Sequence, residues 1–441
     1  MPRATTLQEA YRLLDPRPLD FLDFQPTGKD AAKNPAFYTP PPEAQDDGAP
    51  LPGPVALLRR SLLAGGHETK MFLSGHVGSG KSTELSRLAA NGEIQKRFKV
   101  VAFRIEEHEW ATIDSTQLLF RLAGELFDRF KDALAKQARW KKVLKALNDR
   151  LFEKVGLRAE DGASSLEFSL LVVKLRTELK FSDKVRQQFR AFGETSQSIL
   201  QDFIKALVDD IENHLAEAGE PDQLLVLVDD LDKVRGAEEQ QELFERNLNA
   251  LLAPPLRIVY TLPTGVAFAG NRPDVRANTH HLYPVRVLGK APKDFNPEDA
   301  FEDERFGFFM TLIGHRIEEG LIDTEAVRLS AIYSGGVLRD FFRLLRDAIL
   351  IAEHREEEKL TATLLRYAVK NAQRAETMGL YSPDYEALAH VHRTNQLRSP
   401  ADRAYLDQAR VLECFNGSVW FEVSPLLWPF LKDRANDEPG G

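Results

Sequence analysis

The sequence predicts an α/β fold in which helices cover both faces of a parallel sheet, followed by a helical region and a small C-terminal module. Three observations support this prediction. Five short apolar runs with β-propensity are separated by helical segments, as in a parallel sheet whose connections cross its faces. A glycine-rich loop joins the first run to a helix. The third run ends in two aspartates, Asp229 and Asp230.

The composition excludes several classes of protein. The 441 residues include 58 Lys and Arg against 67 Asp and Glu, a formal charge of −9, which argues against a surface dominated by nucleic-acid contacts. The single cysteine, Cys414, excludes an intramolecular disulfide and a cysteine-based zinc site. The N-terminus lacks the apolar core of a secretory signal, and no apolar run reaches the ~20 residues of a membrane span. We therefore expect a cytoplasmic protein without a membrane partner.

The N-terminal segment, residues 1–54, is rich in proline. It holds 11 of the 24 prolines, including the run from Pro40 to Pro42. Because proline fixes φ and removes a backbone donor, we predict an extended arm that wraps onto a domain or leads into it. An amphipathic helix over 57–63 follows and ends at two glycines.

The sheet domain is predicted to span residues 55–296. Its strands are expected at 71–73, 100–103, 224–228, 256–262 and 282–288, with a helix over 83–90 after the first. The connection between the second and third strands is far longer than one crossover needs, so we predict a helical insertion over about 131–194. Residues 131–158 carry nine Lys or Arg against three Asp or Glu. A solvated helix face explains these charges, and a nucleic-acid or protein partner is the alternative.

Two further domains are predicted after the sheet. Helices over 308–317, 324–333, 337–352 and 361–375 form a bundle within residues 297–376. In residues 377–441, Ser382 and Ser399 each precede a proline, as helix N-caps do. The apolar runs 411–415 and 419–423 flank Asn416 and Gly417, which favour the tight turn of a hairpin. Two helices and a hairpin are typical of a winged-helix module.

The glycine-rich loop carries the sharpest functional signal, a match to G-x-x-x-x-G-K-[ST]. Such a loop folds its backbone N–H groups around phosphate oxygens, which side chains would obstruct, and the next helix adds the positive end of its dipole. We expect Lys81 to reach the β- and γ-phosphates and Ser82 to ligate Mg²⁺. The residues predicted to bind the nucleotide are Gly75, His76, Val77, Gly78, Ser79, Gly80, Lys81, Ser82 and Thr83.

Other candidate residues lie at the ends of later elements. A buried parallel strand ending in Asp229 and Asp230 places both carboxylates at the carboxyl edge of the sheet. We expect Asp229 to hold Mg²⁺, through water or together with Ser82, and Asp230 to orient and polarise the attacking water. Thr261, near the end of the next strand, is placed to hydrogen-bond the γ-phosphate or that water. An ordinary strand-end threonine is the alternative.

Arg339 opens a predicted helix, where the helix dipole disfavours a cation. This placement indicates an anionic partner such as a nucleotide phosphate, with a solvated arginine as the alternative. The histidine pairs His280-His281 and His390-x-His392 lack a spaced third ligand, so we interpret them as surface or packing residues.

Together these motifs resemble an AAA+ ATPase of the origin-initiator or STAND type. The resemblance implies an ATP- and Mg²⁺-dependent ATPase in which a helical lid, and often a winged-helix domain, follows the nucleotide domain. By it, Gly75 to Ser82 match the Walker A loop, Asp229 and Asp230 the Walker B pair, Thr261 sensor 1 and Arg339 sensor 2. Bacterial relatives with a stretch similar to residues 78–85 are often implicated in anti-phage defence.

The chain departs from this family in two respects. Asp230 stands where many members carry glutamate, and the helical insertion is not part of the minimal core. Arginine fingers, which act across a subunit interface, usually follow sensor 1, where Arg272 and Arg276 lie. The sequence leaves open whether the chain forms a homo-oligomer and which of the two arginines, if either, is a finger.

Two functional hypotheses follow. The first is an ATPase that acts as a nucleotide-driven conformational switch, with a DNA or protein partner at the insertion or the C-terminal module. The second is a DNA-binding regulator in which nucleotide is a slowly exchanging structural ligand with little turnover. Arginines in the tail motivate the second hypothesis: Arg393, Arg398, Arg403 and Arg410. A nucleotide or small-molecule kinase is disfavoured, because such an enzyme has no place for the lid and tail.

Overall fold

A computed structural model describes residues 3–20, 37–42, 45–46, 49–50, 52–134, 139–156, 172, 174–175, 177–269, 273–290, 295–415 and 417–432. The strands in these residues are β1 Gln45–Asp46, β2 Ala49–Pro50, β3 Lys70–Gly75, β4 Phe98–Arg104, β5 Gln223–Asp229, β6 Arg257–Leu262, β7 Thr279–Leu282, β8 Val411–Phe415 and β9 Val419–Val423.

Strands β3 to β7 form one sheet in the order β4-β5-β6-β3-β7, and every neighbouring pair is parallel. Two antiparallel pairs, β1 with β2 and β8 with β9, lie outside it. The predicted parallel sheet is therefore confirmed. Because all its strands point the same way, the ends of β3, β5 and β6 meet at one edge, where ligands bind in open α/β folds.

The α-helices are numbered in chain order. They are α1 Leu7–Leu13, α2 Pro54–Ala64, α3 Lys81–Ala89, α4 Gly92–Arg97, α5 Ser115–Leu134, α6 Arg139–Val155, α7 Asp183–Glu217, α8 Ala237–Gln241, α9 Leu248–Leu252, α10 Thr264–Ala269, α11 Pro273–Ala277, α12 Phe306–Gly314, α13 Thr324–Tyr333, α14 Leu338–His354, α15 Ala362–Thr377, α16 Ser382–Thr394 and α17 Arg403–Asp407. Among the described residues, no helix is both long and apolar enough to cross a membrane.

Side chains of β5 alternate between two apolar layers, one on each face of the sheet. Leu224, Val226 and Val228 pack with residues of α5, α6 and α7, whereas Leu225 and Leu227 pack with α2, α3 and α4. A strand buried on both faces needs a continuous apolar run, and residues 224–228 of β5 are all apolar.

Helices α5, α6 and α7 occupy the long connection between β4 and β5. Their apolar residues belong to the same core as one face of the sheet. The helices predicted for this connection are present, but α5 begins at Ser115 and α7 runs without interruption to Glu217. The insertion boundaries of 131 and 194, like the other domain boundaries, stay a prediction.

Helices α12 to α15 form the predicted bundle, which we call the helical region. Phe341, Leu345 and Ile349 of α14 are fully buried in its core. Helix α1 also packs into this core, through Leu7 and Ala10. The prediction of an extended arm was therefore wrong at α1. The apolar residues of this helix recur at helical spacing and bury one face, but the number of prolines in the segment hides this pattern.

Two local predictions were wrong. The fifth strand, expected at 282–288, is β7 at Thr279–Leu282. Pro284 cannot donate to a neighbouring strand, and the Val285 N–H donates to the Gly336 carbonyl at 3.1 Å, so the chain leaves the sheet for the helical region. Tyr381, not Ser382, is the N-cap of α16, whereas Ser399 caps a short 3₁₀ turn as expected.

Residues 382–432, which hold α16, α17 and the hairpin of β8 and β9, are here called the C-terminal module. The hairpin strands match their predicted bounds, and Val411 pairs with Val423. The winged-helix assignment stays a prediction.

Gly336, between α13 and α14 of the helical region, lies where two backbones come into close contact. Its φ is +87°, and a Cβ there would lie 2.3 Å from the Val285 carbonyl oxygen. We expect Gly336→Ala to lower the free energy of unfolding by about 2–4 kcal/mol, since a left-handed alanine and overpacking each cost roughly 1–3 kcal/mol. Urea unfolding measures this change. Gly307→Ala is the control, because a Cβ there meets nothing within 4 Å, and an equal loss in both variants would contradict the expectation.

Candidate nucleotide site

The glycine-rich loop joins the end of β3 to the start of α3, as the motif requires. Gly78, in its middle, has a φ of +93°, and a Cβ there would lie 2.5 Å from the Arg339 Cβ. Only glycine therefore permits both this loop conformation and the close approach of α14. The Arg339 N–H donates to the Gly78 carbonyl at 3.1 Å, so the helix that carries the predicted sensor arginine is bonded directly to the loop.

The Lys81 ammonium is buried and has three protein acceptors. It donates to the carbonyls of Gly75 at 2.5 Å and His76 at 3.0 Å. Its third partner is the Asp232 carboxylate, 2.9 Å away. Because a lysine has three donors, phosphate oxygens would have to compete with these acceptors for the ammonium.

Three carboxylates lie near the loop at the end of β5 and just after it. Oxygens of Asp229, Asp230 and Asp232 all lie within 4.8 Å of one another. Burial, and then the charges of Asp230 and Asp232, raise the pKa of Asp229 to about 6, while the neighbouring Ser82 hydroxyl lowers it. Like charges this close repel each other, so a divalent cation would stabilise the ionised cluster.

Besides Lys81 on Asp232, two further cations contact this cluster. The Lys233 ammonium lies 2.7 Å from Asp230 and 4.8 Å from the centre of the Trp110 ring. Asp230 itself has a φ of +63°, which turns the chain sharply after β5. The Arg104 Nε at the end of β4 lies 3.4 Å from Asp229. These contacts hold both carboxylates in defined positions.

Thr261 is fully buried at the end of β6. Its hydroxyl oxygen accepts hydrogen bonds from the backbone N–H groups of Leu231 at 2.9 Å and Asp232 at 3.2 Å. The side chain thus holds the turn that carries the acidic cluster, and the hydroxyl proton is still available to a further acceptor.

The loop, the helical region and the N-terminal segment enclose a cavity of about 110 Å³. Val77, Gly80, Ser82, Thr83 and Arg339 are among the residues that line it. Ligand pockets for molecules of nucleotide size usually have about 300–1,000 Å³. The cavity beside the loop is therefore smaller than most pockets for such ligands.

Residues 15–19, 37–39 and 41 of the N-terminal segment line one side of this cavity. The Leu19 N–H donates to the Thr83 hydroxyl at 3.1 Å, and the Tyr38 hydroxyl donates to Glu84 at 2.7 Å. Arg316 of the helical region lies 4.9 Å from the Phe37 ring centre and 5.0 Å from that of Phe342. Burial lowers the pKa of Arg316 to about 10, so the guanidinium keeps its charge at neutral pH.

The His76 side chain points away from the cavity, into the interface with the C-terminal module. Gly75 is the other residue of the predicted loop that does not line the cavity. Its carbonyl accepts a hydrogen bond from the Lys81 ammonium. Ser79 is buried beside the cavity, and its hydroxyl has no hydrogen-bond partner among the described residues. The structure thus brings the loop, both aspartates, Thr261 and Arg339 together, and directs His76 elsewhere.

Sequence reasoning missed several members of this site, namely Asp232, Lys233, Arg104, Arg316 and the N-terminal segment. The spacing Asp-Asp-x-Asp-Lys over residues 229–233 was a signal for the first two. Nothing local distinguishes Arg104 or Arg316, because only the tertiary fold brings them to the site. Of the two finger candidates, Arg276 is exposed on α11 and Arg272 lies outside the described residues. His392 is buried, with its Nδ1 2.8 Å from Glu422, in line with a packing role.

Glu413, which lies next to the loop on β8, has its pKa raised to about 7 by burial, from an ordinary value of 4.5. Between pH 4.5 and 7 the folded protein thus binds more protons than the unfolded chain, so this residue makes stability fall as pH rises through that window. We expect Glu413→Gln to raise the free energy of unfolding at pH 8 by up to about 3 kcal/mol, and to change it little at pH 4.5. Urea unfolding at both pH values tests this, with exposed Glu357→Gln as the control; a gain at pH 4.5 that equals the gain at pH 8 would contradict it.

Comparison with known proteins agrees with this geometry. Residues 61–251 match the model of the KAP family P-loop domain, so this part of the chain is a P-loop NTPase domain. The match confirms the domain that the motif at Gly75 to Ser82 predicts. No curated protein matches the chain.

The chain is also similar to solved structures. The Aeropyrum pernix ORC2 protein, in ADPNP and ADP complexes, is 15% identical with a TM-score of 0.42, over 91% of this chain and 96% of that one. Cdc6p from Pyrobaculum aerophilum is 14% identical with a TM-score of 0.38, over 90% and 99%. The Aeropyrum pernix ORC1 protein in complex with DNA is 14% identical with a TM-score of 0.38, over 88% and 96%.

Proposed function

We propose that this protein binds ATP with Mg²⁺, hydrolyses it, and uses the bound nucleotide to control the contact between its P-loop domain and its helical region. One observation carries the proposal. The backbone of Arg339, on α14, is bonded to Gly78 in the phosphate loop, beside Lys81 and the carboxylates that follow β5. Groups suited to phosphate and metal thus come from two parts of the chain, the P-loop domain and the helical region.

The residues present fit a magnesium ion. Mg²⁺ prefers oxygen ligands and is usually bound by one or two carboxylates together with substrate phosphates. Asp229 and the Ser82 hydroxyl offer such oxygens next to the phosphate loop, and the carboxylates of Asp230 and Asp232 close to Asp229 add negative charge that a cation would offset. In this proposal Ser82 and Asp229 hold the ion, which neutralises part of the phosphate charge.

The chain's own residues would divide the remaining work. Asp230 orients and polarises the attacking water, and its ion pair with Lys233 keeps its carboxylate facing the cavity. Lys81 leaves its carbonyl partners to bind the phosphates, and the Arg339 side chain adds a second positive charge. Thr261 holds the turn after β5 and has one hydroxyl proton to donate.

A switch follows from the same arrangement. Lys81 belongs to α3 and Arg339 to α14, so a γ-phosphate bound by both would link the P-loop domain to the helical region. Loss of that phosphate removes the link, and the helical region is then free to shift relative to the loop. Helix α1 is packed on α14 and would move with the helical region. The residues that follow α1, up to Leu19 at its contact with Thr83, would move too.

Other parts of the functional hypothesis rest on the composition of the sequence and on the resemblance. They are a DNA or protein partner for the C-terminal module or the insertion, a homo-oligomer, a role in anti-phage defence and a cytoplasmic location. Each stays a prediction. Salt-sensitive DNA binding that is lost on deletion of residues 380–441, without ATP turnover, would favour the alternative of a DNA-binding regulator.

Nucleotide binding and phosphate release test the proposal directly. The full chain is titrated with a fluorescent ATP analogue and, in parallel, with the GTP counterpart, each with Mg²⁺ or with EDTA. We expect saturable binding of the ATP analogue that weakens in EDTA, together with Mg²⁺-dependent release of phosphate from ATP. Absence of binding at millimolar ATP would overturn the proposal, and binding without any phosphate release would leave only its switch component.

A further inference from the structure

His76, inside the phosphate loop, contacts the C-terminal module with both of its ring nitrogens. Its Nε2 accepts a hydrogen bond from the Glu413 N–H at 2.7 Å, so the ring proton lies on Nδ1, which donates to the Leu406 carbonyl at 3.3 Å. Burial, followed by the charge of Lys81, lowers the pKa of His76 to about 3. The imidazole is therefore neutral at physiological pH, as this bonding pattern requires.

The main chain of the same residue contacts the phosphate-binding lysine. The His76 carbonyl accepts from the Lys81 ammonium at 3.0 Å and from the Ser79 N–H, also at 3.0 Å. Phosphate oxygens that bind Lys81 would compete with the first of these bonds. Because the imidazole is buried and bonded at both nitrogens, a shift of the His76 backbone changes the contacts of its ring.

Other contacts between the described residues of the C-terminal module and the P-loop domain lie outside the loop, among them His281 on β7, whose Nδ1 is 3.7 Å from the Glu413 carboxylate. The Gly265 N–H donates to Asp407 at 2.8 Å, the rings of Phe268 and Phe421 meet edge to face at 4.9 Å, and Arg403 lies 3.5 Å from Glu245. His76 thus joins the phosphate loop to a module that otherwise docks on neighbouring elements.

We propose that His76 couples the two sites: nucleotide phosphates that draw Lys81 away from the His76 carbonyl weaken the docking of the C-terminal module. This inference rests on the proposed nucleotide binding. Coupling is reciprocal, so a module that is held less tightly must in turn permit tighter nucleotide binding. Bound nucleotide would then control the docking of the C-terminal module, through β8 and α17, as well as the position of the helical region.

Hydrogen exchange of the Glu413 amide reports on this docking, because that amide is the donor to His76. The full chain is measured with and without Mg²⁺ and a non-hydrolysable ATP analogue. We expect the analogue to speed exchange at Glu413 by at least about fivefold, the lower end of typical allosteric coupling. In His76→Ala, exchange should be fast in both conditions, with a ratio near one, and the analogue should bind at least about fivefold more tightly.

Two further variants separate coupling from a general loosening of the interface. Arg403→Ala removes the ion pair with Glu245 but leaves the loop contacts in place, so exchange should rise in both conditions while the nucleotide-dependent ratio persists. His76→Gln, whose amide can accept from Glu413 and donate to Leu406, should restore part of the ratio. Two results would overturn the coupling but not the proposed function. In the first, wild-type protein binds the analogue and exchange at Glu413 does not change; in the second, His76→Ala keeps the full nucleotide-dependent ratio of exchange rates. Wild-type protein that fails to bind the analogue would reject the proposed function and the coupling together.

Discussion

Replacement of Lys81 by alanine is expected to weaken nucleotide binding by at least about 100-fold and to abolish turnover. The ammonium is the one cation inside the loop motif, and it would donate to both the β- and γ-phosphates. Two hydrogen bonds to charged groups are worth about 1.5–3 kcal/mol each, which corresponds to this loss of affinity. Titration with a fluorescent ATP analogue measures the dissociation constant, and phosphate release measures turnover.

The control for this prediction has to separate binding from folding. Lys81→Ala leaves the buried Asp232 carboxylate without its ion-pair partner, so the variant should also be less stable. The double variant Lys81→Ala/Asp232→Asn should regain stability in urea unfolding and still fail to bind nucleotide. Lys145→Ala, at an exposed site on α6, should behave as wild type. A Lys81→Ala protein that binds and hydrolyses ATP at the wild-type rate would rule out the proposed function.

Replacement of Asp230 by asparagine is expected to lower turnover by at least about 100-fold while the dissociation constant for ATP changes by less than about threefold. A residue that polarises the attacking water contributes about 10²–10⁴ to the rate, and asparagine cannot accept the proton. Asp229, which we expect to hold the metal, is untouched by this change, so binding should persist. Single-turnover phosphate release and analogue titration provide the two measurements.

Asp149→Asn, an exposed aspartate on α6, is the matched control and should leave both quantities unchanged. Because Asp230 is ion-paired with Lys233, a Lys233→Met variant checks whether the effect comes from the carboxylate itself. We expect that variant to retain more turnover than Asp230→Asn. Equal turnover in Asp230→Asn and wild type would show that another group orients the water.

Much of the sheet and of the helical region could be predicted from local patterns. The strand at β5 was evident because a strand buried on both faces must be apolar throughout, and α14 was evident because its apolar residues recur at helical spacing. The hairpin of β8 and β9 followed from a two-residue turn signal. Helix α1 was missed because its seven residues lie in a proline-rich segment, and their apolar face has meaning only against the helical region.

The candidate site divides in the same way. The glycine-rich loop and Asp229 to Asp230 were found because their chemistry needs particular residue types next to one another along the chain. Arg104, Arg316 and the Leu19 contact with Thr83 could not be found, since each comes from a distant segment and uses residue types that are common on surfaces.

The sequence by itself determined a P-loop domain with a phosphate loop and an acidic strand end, because these depend on neighbours in the chain and on local backbone conformation. Only the tertiary structure decided what surrounds that loop: the Arg339 backbone on Gly78, Asp232 on Lys81, and the ring of His76 between Leu406 and Glu413. These contacts join residues far apart in the chain, and their distances are set by how the helices and the C-terminal module pack against the sheet. The sequence therefore could not predict that His76, a residue of the phosphate-loop motif, contacts the C-terminal module.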